Sequence, residues 1–62
     1  MSERQLKIIE IIKNNKNTTQ EEIASILEVS RYTIIRELKI LESLNYIKRN
    51  GSNKTEYWEA TL

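Results

Sequence analysis

A chain of 62 residues with neither cysteine nor histidine has no chemical staple to rely on. Disulfides, thiolate chemistry and the common zinc ligand sets are excluded, so packing or association must hold it together. At this length residues 1–62 make one small domain with one core and a narrow margin of stability, because so little surface can leave water. The lack of cysteine fits a reducing compartment. Met1 is followed by Ser-Glu-Arg-Gln and not by a basic flank and a long apolar run. No apolar stretch approaches the roughly eighteen residues of a membrane span, so the expectation is a soluble, cytoplasmic chain with no membrane partner.

Apolar spacing divides most of the chain into three helices. Leu6, Ile8, Ile9, Ile11 and Ile12 recur at helical intervals and place a first helix at 2–15, closed by the turn-favouring "NNKN" at 14 to 17. Thr19 and Glu22 have the spacing of a capping box, which starts a second helix at 19–27 with Ile23, Ala24 and Leu27 on one face. Ser30 suits the cap of a third helix at 30–44, in which Ile34, Leu38 and Leu41 repeat at four and three residues. The core is expected from Ile9, Ile12, Ile23, Leu27, Ile34, Leu38, Leu41 and Ile47.

After Asn45 the period changes. Strand formers at 46–49 and 55–59 flank "NGSNK", and Asn-Gly between such segments is a strong hairpin signal. The alternative is a polar tail, against which Tyr57 and Trp58 offer apolar area that a small core needs. The fold class expected is therefore α+β, three helices and a two-stranded hairpin, with a short third strand near 18–19.

The break between the second and third helices bears most directly on function. Two helices joined by a turn of three or four residues, with Ala24 inside the first and Val29 at the corner, describe a helix-turn-helix. With Ile34 at zero on a helical wheel, Leu38 and Leu41 lie within about forty degrees, while Tyr32, Lys39 and Arg36 fall at about 160, 140 and 200 degrees. One side of the third helix is thus buried and the other projects a phenol and two cations. Ser30, Arg31 and Thr33 sit at its start, where hydroxyls and free backbone amides suit phosphate or base edges.

Charge agrees with this division. The formal net charge is only +1, yet residues 30 to 54 carry Arg31, Arg36, Lys39, Lys48, Arg49 and Lys54 against Glu37 and Glu42. Such an asymmetry concentrates positive potential on one region and favours a polyanion, although a merely solvated basic face would have the same composition.

The stretch "TTQEEIASILEVSRYTIIRELKILESLNYI" resembles the winged helix-turn-helix of DeoR-type and related bacterial regulators, through its Glu-x-Ala, Val-Ser-x-x-Thr-Ile and Leu-x-x-Leu elements. The closing "IKRNGSNKTEYWEA" is similar to the wing of such domains, in particular those that end larger bacterial proteins with a divergent AAA or Schlafen-like module. The resemblance implies double-stranded DNA binding by a bacterial or archaeal transcriptional regulator, or by the DNA-reading end of a larger one, and a nucleoid-associated location. By it, Ser30, Arg31, Tyr32, Thr33 and Arg36 match positions that face DNA, and Lys54 matches a wing contact. Thr19, Ile35, Lys39 and Arg49 complete the expected DNA-facing set. Two departures stand out: Glu28 occupies a position where such turns usually hold glycine, and Ile35 replaces a commonly basic residue.

The five apolar residues of the first helix cover an arc of about 220 degrees, wider than one core requires. The expectation is that Ile11 needs a further cover, from a second copy of the chain or the remainder of a longer protein. A protein-interaction winged helix using Ile11, Ile35, Ile40 and Tyr32 is the rival to direct DNA contact. Catalysis is not expected: the sequence has no nucleophile with a base, no metal ligand set and no Gly-rich phosphate loop. Glu21 and Glu22 are accounted for by a helix start, where acids favour the macrodipole. No cofactor and no small-molecule ligand is expected.

Overall fold

The computed structural model describes residues 1–51 and 57–61. Its elements are α1 (Glu3–Asn14), α2 (Gln20–Leu27), α3 (Arg31–Ser43), β1 (Ile47–Asn50) and β2 (Tyr57–Ala60). Three helices followed by an antiparallel hairpin make the α+β winged-helix arrangement expected from the sequence.

Each helix starts on a hydroxyl that takes a backbone amide with no partner inside the helix. Ser2 and Gln5 form a complete capping box on α1, which the apolar pattern did not disclose: Gln5 N donates to Ser2 Oγ at 3.2 Å and Ser2 N to Gln5 Oε1 at 3.1 Å. On α2 the expected box forms by half. Glu22 N donates to Thr19 Oγ1 at 3.1 Å, but the Glu22 carboxylate takes the Thr19 hydroxyl proton at 3.4 Å and not the Thr19 amide. Ser30 caps α3 by accepting from Thr33 N at 3.1 Å.

The turn into α3 is built by left-handed backbone. Glu28 adopts φ 56 and ψ 44, which lets Glu28 N reach Ser25 O at 3.3 Å and Val29 N reach Ala24 O at 3.0 Å. This is the Schellman arrangement, normally closed by glycine, and Glu28 holds it at a cost of about 1 kcal/mol. Val29 is half-buried and packs against the core, which fixes the corner. The end of α3 repeats the device with Asn45 at φ 64, Asn45 N bonded to Glu42 O and Tyr46 N to Leu41 O, both at 3.0 Å.

The core comprises Ile8, Ile9, Ile12, Ile23, Ala24, Ile34, Leu38, Leu41, Ile47 and Trp58. Leu27, expected inside, is only half-buried, because α2 ends there and turns its last residue toward the rim. Ile8 and Trp58, outside the expected set, are buried in the core. Ile11 also departs from expectation: it is half-buried against the core of its own chain, and Leu6, 52% exposed, is the member of the five that the fold leaves in solvent.

The wing is displaced from its expected place. Residues 44 to 46 are used to close α3, so β1 begins at Ile47 and extends to Asn50. Residues 55 and 56 lie outside the described residues, and β2 continues to Ala60. The register pairs Ile47 with Ala60, Lys48 with Glu59, Arg49 with Trp58 and Asn50 with Tyr57. Alternation therefore puts Ile47, Arg49, Trp58 and Ala60 on the core-facing side. Among the described residues no strand forms near 18–19. The contact there is a single backbone bond, Trp58 N to Lys16 O at 2.9 Å, which ties the wing to the loop after α1.

Candidate nucleic-acid interface

The site is the side of α3 turned away from Ile34, Leu38 and Leu41, all of which are at most 2% exposed. On the opposite side Tyr32 is 75% exposed, and Arg36 and Lys39 are also in solvent. None of these three has a hydrogen-bond or ion-pair partner among the described residues. Burial of the aliphatic stripe sets the rotation of the helix, and that rotation leaves the phenol and cations outward.

The start of α3 is more constrained. Ser30 Oγ and Thr33 Oγ1 share a hydrogen bond at 3.0 Å, so each hydroxyl is already oriented. Arg31, the first residue of α3, reaches back to α2, with Nε 3.2 Å from Glu21 Oε1. Ile35 is half-buried at the edge of the exposed strip.

Arg49 and Thr19 lie apart from that strip, across a cleft of about 320 Å³ between the start of α2 and the wing. Thr18, Thr19, Gln20 and Glu21 line one side, with Arg49, Tyr57 and Trp58 on the other. Thr18 is 5% exposed and its hydroxyl has no partner among the described residues, a group that gains from any donor or acceptor admitted to the cleft. The Arg49 guanidinium stacks 5.5 Å from the centroid of the Trp58 ring, and Lys16 Nζ lies 5.2 Å from that of Tyr57. These contacts seat each cation on an aromatic ring that lines the cleft. Lys54, the expected wing contact, lies outside the described residues.

Glu21 is the member of this region that sequence reasoning missed. Its place at a helix start is accounted for by the macrodipole alone, and nothing in the linear pattern reveals that the turn brings it against a residue ten positions later. Among the described residues no three His, Cys, Asp or Glu side chains are grouped to hold a metal, and no helix is long and apolar enough to cross a membrane.

A capped helix pair with a tight left-handed turn, a cationic second helix and an adjoining hairpin is the anatomy of a DNA-reading module. Residues 4–49 match the family described as HTH domain, and the chain belongs to that helix-turn-helix family, a class of domain that typically binds DNA. No curated protein and no solved structure gives a significant match.

Proposed function

We propose that the domain reads double-stranded DNA as a transcriptional regulator, or as the DNA-binding part of a larger one, with α3 in the major groove and the wing on the backbone or minor groove. The observation that carries this reading is the exposed set Tyr32, Arg36 and Lys39, without a polar partner among the described residues, against the buried face of the same helix. At 13 residues α3 is about 20 Å long, enough to lie in a groove about 12 Å wide. Ser30, Arg31, Thr33 and Ile35 lie at the base-facing end, Ile35 being suited to a thymine methyl. Thr19 and Arg49 border the cleft where a backbone phosphate finds free amides at the start of α2 and a cation from the wing. Lys54 adds a further phosphate contact.

A winged helix that docks on protein is the competing reading, favoured by Ile26 at 60% and Ile40 at 42% exposure. Ionic strength separates the two. If about five or six cations meet phosphates, log affinity for a mixed-sequence duplex falls against log salt with a slope of about minus five, whereas an aliphatic interface changes little. A flat salt response removes the DNA reading. Pairing of two copies on adjacent half-sites belongs to the same proposal, and sedimentation with and without duplex tests it.

A further inference from the structure

Building on the reading that α3 meets duplex DNA, we propose that Glu21 is a specificity-determining residue, which positions Arg31 for base recognition and keeps that arginine off the phosphate backbone.

The geometry is an ion pair between the second residue of α2 and the first of α3, Arg31 Nε to Glu21 Oε1 at 3.2 Å. Both side chains are more than 60% exposed, so the pair contributes little to holding the helices together. Stability is thus a poor explanation for it. An acid at this position gains from the α2 dipole without reaching α3 at all. What the contact changes is the guanidinium. With the Glu21 carboxylate beside Nε, the end-on edge of Arg31 is left for a bidentate partner, and the O6 and N7 of guanine are spaced to take it. The rotamer is chosen before DNA arrives, so less freedom is lost on binding.

The same carboxylate acts on the wrong target. An untethered arginine at the start of a recognition helix grips any phosphate within reach, which raises affinity for every sequence equally. Glu21 also lines the cleft between α2 and the wing, so its negative charge lies where the backbone would pass. Sequences that do not offer Arg31 a base therefore meet repulsion without return, and discrimination comes from weakening the wrong complexes as well as strengthening the right one.

The test compares the 62-residue chain with Glu21→Gln, Arg31→Ala and the double variant. Two readouts are taken: affinity for a mixed-sequence duplex at low salt, and base preference by enrichment from a randomised duplex library. Glu21→Gln should bind the mixed duplex about three- to tenfold more tightly and lose about tenfold in preference at one base position, with its melting curve unchanged. Arg31→Ala should lose preference at that same position, and the double variant should lose no more. Unaltered base preference in Glu21→Gln overturns the proposal, even if affinity rises, because the acid would then only repel. A wild-type chain that binds duplex without base preference overturns it too. Failure of the wild type to bind any duplex instead removes the DNA reading on which the proposal stands.

Discussion

Helix α3 and the wing present cations in opposite ways. Along α3, Arg36 and Lys39 project from a helix whose other side is clamped by Ile34, Leu38 and Leu41, and the helix itself gives them direction. In the wing, β1 and β2 are four residues each, too short for such rigidity, and Trp58, 8% exposed, supplies the largest anchor. There Arg49 lies over the Trp58 ring and Lys16, from the neighbouring loop, over Tyr57. A helix can therefore display charge that has no hydrogen-bond or ion-pair partner among the described residues, while a short hairpin steadies its charge on a ring that also holds it down. Function and stability are separable in the first region and entangled in the second.

Substitutions can break or sharpen that contrast. Trp58→Ala should be the most damaging, at about 3–5 kcal/mol, with Leu38→Ala at about 2–5 kcal/mol, both read by urea unfolding followed by circular dichroism. A loss below about 1 kcal/mol for Trp58→Ala would make the wing an appendage and not part of the core. Next, Arg36→Ala should weaken duplex binding by about 1–3 kcal/mol with unfolding unchanged. Arg49→Ala should move both measurements, losing about 0.5–1 kcal/mol of stability with its ring contact and flattening the salt slope by about one. If Arg49→Ala leaves stability untouched, the entanglement proposed for the wing disappears. The smallest effect is expected at the turn. Glu28→Gly relieves a left-handed strain of about 1 kcal/mol but frees the unfolded chain by about 0.5 kcal/mol, so a net gain of about 0.5 kcal/mol should appear as a slightly raised melting temperature.

Much of the fold was legible because it is locally encoded. Thr19 and Ser30 announce their helices through hydroxyl chemistry that acts over three residues, and the spacing of Ile34, Leu38 and Leu41 fixes the phase of α3, hence the outward placement of Tyr32, Arg36 and Lys39. The wing boundaries were less legible. The left-handed Asn45 and the bond from Tyr46 N to Leu41 O spend three residues on closing a helix, and strand propensity carries no sign of that demand. Leu27 is only half-buried because burial at a helix end depends on what packs across it, not on period. Least legible were contacts made only once the chain had turned: Glu21 with Arg31, Arg49 on Trp58, and Lys16 joined to both wing aromatics through its ammonium and its carbonyl.

α3 is flanked by two turns of the same kind, one at Glu28 that closes α2 just before it and one at Asn45 that closes α3 itself, both residues in left-handed conformation. A rod stopped at each end and keyed along its underside can neither slide nor roll, so its upper surface works as an interchangeable template. Under the proposed function, exchanging Tyr32, Arg36 or Lys39 would rewrite the message that surface carries while the frame beneath stays in place, so that a very small scaffold could acquire new targets one side chain at a time.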